Sequence, residues 1–357
     1  MGLNEKLDAE GFLTSLRVIQ RSLSLFVTGL SAPLLEQYGT RGLDALDEAF
    51  YRWGKWRGER LRRSPETMSN GLRPDILIEN WDSPDLVLSY ADNLMTPHIN
   101  GSDVELAFAT LPFADQLTGS LEPVLDSLYR RTGDGMAEAF NPHVDIGWAP
   151  FGSGTNSRLR LSTLQFDAPA ASVDPGRVLL DPVAAIGLMR RSAVSNGGFY
   201  SAVAQVAIER FDATGEHLIR EGLRNIGRLR GETIRARHLA QGKELTIENL
   251  MNDWDGPLVS VWTFGDEGTL TADRWEQDCT YCPYAAAWAD FGSRGLELGY
   301  MYDVEMHTAV YSAYHPGITV RWEKLKTRGD ATCNFRLHLD SGPVPVVIGN
   351  RKEEIAS

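Results

Sequence analysis

The stretch YGTRGLDALDEAFYRWGKWRGERLRR at residues 38–63 decides the fold, because a related stretch, FDATGEHLIREGLRNIGRLRGETIRAR, occupies residues 211–237. The first stretch begins at Tyr38 and the second at Phe211. At this offset Gly54 aligns with Gly227, and the RGE motifs of the two stretches also coincide. Long internal repeats have to be recognised before other patterns, because each copy is then one structural unit. The two stretches therefore predict a duplicated unit.

The match continues along the chain in the same order. ENWDSP and NDWDGP place Trp81 and Trp254 at the same offset as the two stretches. AFNPHVDIGW and AYHPGITVRW end at Trp148 and Trp322, whose separation exceeds that offset by a single inserted position. Blocks that recur in one order at nearly one spacing indicate an internal duplication.

Each copy is predicted to be an α+β unit in which helices stand apart from an antiparallel sheet. Alternating apolar residues in LVSVWTF at residues 258–264 and in ATCNFRLHL at residues 331–339 predict two of its strands. Turn-forming residues around the midpoint, including SNGG at Ser195–Gly198, place the boundary between the copies there. We therefore predict two tandem copies, residues 1–180 and 181–357, that pack as a pseudo-twofold pair inside one chain.

The composition is that of a soluble globular protein, with 43% hydrophobic and 23% charged residues. The net charge of −13 argues against nucleic acid and against an anionic membrane surface as partners. The longest apolar stretches fall short of the roughly 20 residues that a membrane span needs. The N-terminal sequence MGLNEKLDAEGFL is acidic and lacks the apolar core of a secretory signal. Since three cysteines do not suggest a disulfide framework, we expect a cytoplasmic protein with reduced thiols.

Three blocks of the second copy hold the residues that favour chemistry: DCTYCPYAAAW at residues 278–288, YDVEMHTAV at residues 302–310 and TRGDATCNFR at residues 327–336. Pro283 suits the first position of a helix, so Cys282 is expected at the helix entrance. Backbone N–H groups and the helix dipole at that point favour a thiolate with a lowered pKa. A small buried hydrophobic residue is the alternative interpretation of Cys282.

The cysteines also raise the question of a metal site. Cys279 and Cys282 form a CxxC pair, which is a weak signal without a second pair at similar spacing. A mixed site that combines Cys282, Glu305 or His307, and Cys333 would suit a zinc or iron ion. The sequence requires no cofactor and leaves this possibility open.

The block at residues 302–310 is predicted to be helical, which puts Tyr302 and Glu305 on one face and Asp303 and His307 on the next. Glu305 is a candidate general acid or base, and His307 suits the same role near neutral pH. The alternative interpretation is that His307 is exposed to solvent or has its hydrogen bonds satisfied by neighbouring groups.

Aromatic and polar neighbours complete the candidate ligand-binding set. Tyr284 and Trp288 stand one helical turn apart. They are either core residues or an aromatic wall for a planar ligand. Tyr302 and Asp303 are the other two members of this set.

The segments CPY at Cys282–Tyr284, YDVEMHTAV, and GDATCNFR at Gly329–Arg336 resemble the L-2-amino-thiazoline-4-carboxylic acid hydrolase family. More distantly, the unit resembles the 4-vinyl-reductase domain, a small-molecule-binding α+β module. The first copy shares the resemblance only through the duplication, and it contains no cysteine.

The family pattern transfers to this chain position by position. Cys282 and Cys333 match the first and last cysteines of the family, and Glu305 stands where the family has an aspartate. Tyr302 stands where the family has its middle cysteine. This departure weakens a site made of three cysteines.

The resemblance implies hydrolytic opening of a cyclic amidine-like ring to an N-carbamoyl amino acid. Water activated by a carboxylate such as Glu305 and direct attack by Cys282 are both consistent with that reaction. The leading hypothesis is a hydrolase of a non-peptide C–N bond in a small, cyclic substrate of thiazoline or amidine type, with its site in the second copy. The alternative is a non-catalytic small-molecule-binding or sensor protein of the 4-vinyl-reductase-like type. The expected partner is a small-molecule substrate, and a homodimer beyond the intramolecular pseudo-dimer is left open.

Overall fold

The structure is a computed structural model of the chain, and it describes residues 9–100, 103–108, 121–149, 157–163, 181–254 and 261–340. Its class is α+β, as the sequence predicts. The elements of the first half are α1 (Ala9–Tyr38), α2 (Thr40–Arg62), α3 (Pro65–Asn70), α4 (Pro74–Glu79), α5 (Asp85–Ala91), β1 (Met95–Asn100), β2 (Asp103–Phe108), α6 (Glu122–Phe140), β3 (Val144–Ala149) and β4 (Ser157–Thr163).

The second half begins with one long helix and ends with a strand. Its elements are α7 (Pro182–Ala240), α8 (Ile247–Asn252), β5 (Thr263–Leu270), β6 (Arg274–Tyr281), α9 (Pro283–Asp290), α10 (Gly292–Tyr314), β7 (Ile318–Trp322), a 3-10 turn (Lys326–Arg328) and β8 (Cys333–Leu339). The strand predicted at residues 258–264 lies partly outside the described residues, and β5 begins near its end.

Each half contains a four-stranded antiparallel sheet. The strand order is β1-β2-β4-β3 in the first half and β5-β6-β8-β7 in the second. In each sheet the fourth strand in chain order therefore lies between the second and the third. In the second sheet this insertion puts Cys279 of β6 directly opposite Cys333 of β8.

The long helices of the two halves pack against one another. α7 bends at Asp212, and the part before the bend lies on α2, where Trp53 Nε1 donates a 3.0 Å hydrogen bond to the carbonyl oxygen of Ser195. The part after the bend lies on α1. There a Cβ added to Gly222 would be 2.6 Å from the carbonyl oxygen of Gly29, so the two helices approach almost backbone to backbone. The halves consequently share one hydrophobic core.

The SNGG segment at Ser195–Gly198 is buried inside α7, so its interpretation as a boundary turn is wrong. Its glycines permit close packing instead of a turn. A Cβ on Gly197 would lie 2.9 Å from the Cα of Tyr284, and one on Gly198 would lie 2.2 Å from the ring of Trp56. A glycine inside a helix costs about 1 kcal/mol relative to alanine, and the close contacts of the neighbouring elements offset that cost.

The sequence-based expectation that every apolar stretch is too short for a membrane span does not hold for α1. Residues 10–38 of α1 are long and apolar enough to cross a membrane by length and composition alone. A core helix passes the same test. In this structure one face of α1, which includes Leu16, Leu23 and Leu30, is buried in the shared core.

Candidate active site

A cavity of about 330 Å³ lies between the second sheet and the helices around it. This volume is at the lower end of the roughly 300–1,000 Å³ in which proteins bind drug-sized ligands. Its floor is the sheet face that carries Trp275, Gln277 and Cys279 of β6 together with Cys333 and Phe335 of β8. Residues two apart on a strand point to the same face, which explains why these five side chains line one surface.

Helices from both halves form the roof of the cavity. The lining residues on these helices include Ile19, Ser22 and Phe26 of α1, Ile226 and Arg230 of α7, Tyr284 and Trp288 of α9, and Tyr302, Asp303, His307 and Tyr311 of α10. The one- and four-residue steps between the α10 positions place these side chains on the inner side of that helix. The cavity is therefore a composite of the two halves, although every ionisable residue that lines it in the described part of the chain belongs to the second.

Asp303 is the acidic residue at the centre of the site. It is 6% exposed and accepts a 3.2 Å hydrogen bond from Thr327 Oγ1 at its Oδ2 atom. Burial raises the pKa of Asp303 to about 7, and the hydrogen bond from Thr327 opposes part of that rise. A carboxyl group of this kind exchanges a proton near neutral pH, which is the property that a general acid or base requires.

His307 lies one turn beyond Asp303 on α10. Its Nδ1 atom is 3.2 Å from the carbonyl oxygen of Asp303, which can only accept, so Nδ1 carries the proton in this contact. Burial lowers the pKa of His307 to about 3, and the positive charge of Arg230 lowers it further. The imidazole is consequently neutral at physiological pH, and its Nε2 atom is left as a hydrogen-bond acceptor.

All three cysteines line the cavity and are reduced. Cys282 precedes Pro283, the first residue of α9, which confirms its predicted place at the helix entrance. The lowered pKa expected there is wrong. Burial raises the pKa of the Cys282 thiol to about 11, because it outweighs the backbone N–H groups of Ala285 and Tyr284.

The thiols of Cys279 and Cys333 are buried in the cavity that Cys282 also lines. Burial raises the pKa of Cys333 to about 12 and that of Cys279 still further. The negative charge of Asp303 acts in the same direction on the pKa of all three cysteines, which shows that the carboxylate and the thiols share one site. The thiols are therefore protonated near neutral pH.

Glu305, a candidate catalytic residue in the sequence, is not brought to this cavity. Its two carboxylate oxygens accept hydrogen bonds from Arg220 Nη1 at 2.7 Å and from Arg224 Nε at 2.6 Å. Although burial alone would raise the pKa of Glu305, the two arginines lower it overall. Two residues earlier on the same helix, Asp303 points to the other side and supplies the acid of the cavity.

The metal site considered from the sequence combined Cys282 and Cys333 with Glu305 or His307. Cys282, Cys333 and His307 line the cavity, whereas Glu305 is held by arginines outside it. Over the described ranges, no group of three or more His, Cys, Asp or Glu side chains is arranged to hold a metal ion. The residues present therefore do not fit the proposed zinc or iron ligand set.

The aromatic residues predicted to bind ligand form a connected cluster. The rings of Tyr284, Trp288 and Tyr302 lie 5.2–6.1 Å apart, and Phe26 of α1 approaches Tyr302 to 5.8 Å. Burial raises the pKa of Tyr284 to about 12 and that of Tyr302 well above its usual range. Both hydroxyls are therefore neutral, and these residues are at once core residues and part of the cavity wall.

Of the residues chosen from the sequence, the cavity brings together Cys282, Cys333, His307, Tyr284, Trp288, Tyr302 and Asp303. Sequence reasoning missed Arg230, which is 9% exposed and lies 5.2 Å from the ring of Trp254, and it missed the contribution of α1. The repeated RGE motif contains Arg230, but the motif alone does not reveal that this arginine is buried.

Comparisons with known proteins support one family for the second half. Residues 192–337 match the family described as L-2-amino-thiazoline-4-carboxylic acid hydrolase. The matched segment is less than half of the chain, and it contains the three cysteines, Asp303 and His307. It indicates a hydrolase acting on a small substrate. No curated protein and no solved structure gives a significant match to the chain.

Proposed function

We propose that the protein hydrolyses the C=N group, a carbon–nitrogen bond other than a peptide bond, of a small cyclic substrate of thiazoline or amidine type. One observation carries this proposal. The segment that matches the hydrolase family contains Asp303, a buried carboxyl with a pKa near 7 that lines the cavity. Such a group can take a proton from water and return it within one reaction cycle at physiological pH.

The reaction proceeds through water in this proposal. Ionised Asp303 accepts a proton from a water molecule as the water oxygen bonds to the C=N carbon of the ring, and it passes this proton to the ring nitrogen that receives the C=N electron pair. Asp303 then takes the proton of the new hydroxyl group as the C=O bond forms and the bond from that carbon to the leaving ring atom breaks, and it delivers this proton to the leaving atom. In a 2-amino-thiazoline the leaving atom is the ring sulfur, so the product is an N-carbamoyl thiol. The neutral His307 accepts a hydrogen bond from the substrate or the water, because its pKa of about 3 leaves no proton to donate from Nε2.

The resting state of Cys282 does not favour its use as a nucleophile. The thiol has a pKa of about 11, so almost none of it is present near neutral pH as the thiolate that would attack. The cysteines instead provide polarisable, neutral walls around the reacting ring.

Arg230 and the aromatic cluster supply the binding interactions. Burial raises the pKa of Tyr284, Tyr302 and Tyr311, and the charge of Arg230 opposes that rise at all three, so its positive potential extends through the cavity. This potential favours a substrate that carries a carboxylate. The rings of the wall exclude water and strengthen these electrostatic interactions.

We also infer that the chain arose by tandem duplication and that the copies pack about a pseudo-twofold axis. Tyr38 and Phe211, which begin the two repeated stretches, stack on each other with ring centroids 3.8 Å apart. Contact between equivalent residues is what a twofold arrangement requires at its axis. The residues that follow them, Gly39 and Asp212, share a backbone conformation with φ of 55° and 49°.

Helix packing inside each half supports the same inference. A Cβ on Gly54 would lie 2.2 Å from the carbonyl oxygen of Thr132, and one on Gly227 would lie 2.4 Å from that of Met306. The two glycines are equivalent in the repeat, and so are the residues they contact once the single inserted position is counted. With the same insertion, Tyr129 is the counterpart of Asp303. The first copy thus lacks the acid and contributes α1 as a wall, which is a division of labour between the copies.

Turnover of 2-amino-thiazoline-4-carboxylate by the purified protein tests the hydrolase. We expect a ring-opened N-carbamoyl product by mass spectrometry, with kcat/KM rising with pH through a value near 7, because Asp303 acts in its ionised form. Asp303→Asn should reduce kcat by at least about a hundredfold, the usual contribution of a general base.

Glu305→Gln is the discriminating variant on the same helix. It should retain turnover, because Glu305 lies outside the cavity. Loss of turnover in Glu305→Gln with retention in Asp303→Asn would refute the assignment of Asp303. Binding of the ring without any product would favour the sensor hypothesis over the enzyme.

A further inference from the structure

The cavity is elongated along strand β6. Cys279, Gln277 and Trp275 occupy alternate positions of that strand and all line the cavity. Four residues of an extended strand span about 13 Å. The floor between the levels of Cys279 and Trp275 is therefore much longer than a single five-membered ring.

The end of the floor near Cys279 is the reactive end. Cys333 lies directly opposite Cys279 in the sheet, and its Sγ atom accepts a 3.3 Å hydrogen bond from the backbone N–H of Lys326. The next residue, Thr327, donates its side-chain hydrogen bond to Asp303, so the carboxyl lies near this end. His307, on the same helix as Asp303, lies 5.7 Å from the ring of Phe335, so Phe335 is next to the acid–base residues.

The other end is aromatic. The ring of Trp275 lies 5.5 Å from that of Phe335 and 6.5 Å from that of Phe264, whose backbone pairs with Cys279 on the neighbouring strand. Leu270, at the end of β5, also lines the cavity and is 41% exposed, so the cavity opens to solvent at this end. Trp275 is 7% exposed, whereas Phe264 and Phe335 are only half-buried. Their free ring surface is available to a ligand.

We propose, on the basis of the hydrolase function above, that the substrate is a cyclic amidine or amide that carries an aryl substituent. The reacting ring lies at Asp303, and the aryl group lies against Phe335, Trp275 and Phe264. A single ring at the reactive end leaves the ring of Trp275 and the adjoining faces of Phe335 and Phe264 uncovered. An aryl group covers them, and offset or edge-to-face contacts between aromatic rings add to the burial of apolar surface.

A matched pair of substrates tests this proposal. 2-Amino-5-phenyl-thiazoline-4-carboxylate differs from 2-amino-thiazoline-4-carboxylate only by the phenyl group. For the wild-type protein we expect kcat/KM to be at least about tenfold higher, and the dissociation constant at least about tenfold lower, for the phenyl compound. Binding is measured by calorimetry and turnover by mass spectrometry, so each is scored separately.

Variants of β5 and β6 test whether the preference for the phenyl compound comes from the aromatic end. Trp275→Leu should lower the ratio of kcat/KM between the phenyl and parent compounds by about tenfold, because it removes the largest ring of that end. Phe264→Leu, at a half-buried position, should lower the same ratio and serves if Trp275→Leu does not fold. Glu276→Gln, between Trp275 and Gln277 on the opposite face, is the matched control and should leave the ratio unchanged.

The outcomes separate this inference from the hydrolase proposal. Turnover of the parent with no preference for the phenyl compound would overturn the inference and leave the hydrolase standing. Tight binding of the phenyl compound without turnover of either compound would overturn the hydrolase proposal and leave the aryl-binding part of the inference standing. Failure to bind or open either compound would refute both.

Discussion

Replacing Asp303 by asparagine should stabilise the folded protein, and the gain should grow with pH. Burial raises the pKa of this carboxyl to about 7, whereas an unfolded chain has a value near 4. Between these values the unfolded state loses its proton and the folded state keeps it, so the wild-type protein loses stability as pH rises. A difference of about 3 pH units corresponds to about 4 kcal/mol.

The substitution removes this dependence, because asparagine has the same shape and no charge. Its amide oxygen can still accept the hydrogen bond from Thr327. The gain in free energy of unfolding should be near zero at about pH 4 and reach about 4 kcal/mol above about pH 7. Urea unfolding of both proteins across this pH range measures it. A difference that is constant with pH, or a loss of stability at high pH, would refute the buried, nearly neutral carboxyl.

Glu305→Gln should show the opposite trend in the same assay. Arg224 and Arg220 lower the pKa of Glu305, so its charge stabilises the folded state above the unfolded pKa of about 4.3. The variant should be less stable at neutral pH, and the loss should fade as pH falls below that value. Equal trends in the two variants would contradict the placement of the two acids on opposite sides of α10.

Further substitutions and one chemical probe test other parts of the structure. The three cysteines should react with iodoacetamide near pH 8 far more slowly than free cysteine and react fully in urea, since burial raises their pKa values; fast labelling of the folded protein would contradict this. Gly198→Ala should destabilise the protein by about 1–3 kcal/mol, because its Cβ would collide with Trp56; an unchanged unfolding midpoint would show that the helices are not this close. Ser22→Leu in α1 should raise KM by about tenfold by filling cavity space, and an unchanged KM would remove the first half from the site.

The fold class and much of the site could be predicted from residue patterns alone. Alternation identified the closing strand that carries Cys333, and Pro283 fixed the start of α9. These signals are local, because a strand or a helix start is encoded within a few residues. The segment that matches the hydrolase family contains the blocks chosen for their chemistry.

The remaining features depend on distant contacts. From the sequence, Glu305 is the candidate acid and Asp303 a candidate ligand-binding residue. The pairing of Glu305 with Arg220 and Arg224 of α7, which are distant in the sequence, shows that Glu305 faces away from the cavity. The lowered pKa predicted for Cys282 is wrong, because a helix start can be identified from neighbouring residues, whereas burial depends on elements that are distant in the sequence. SNGG reads as a turn until Trp56 and Tyr284 are placed against it.

Because α1 forms part of the cavity wall, the buried acid and some of the residues that shape the cavity lie in different halves of the sequence. Asp303 lies in the second half, whereas Ser22 and Phe26 lie near the start of the chain. Variation near the N-terminus can therefore change the shape of the cavity while Asp303 is untouched. If the protein is the hydrolase proposed above, a chimaera that exchanges only the N-terminal half between related proteins would acquire a new selectivity with the same chemistry, so the half that lacks the cavity acid is the natural place to engineer substrate range.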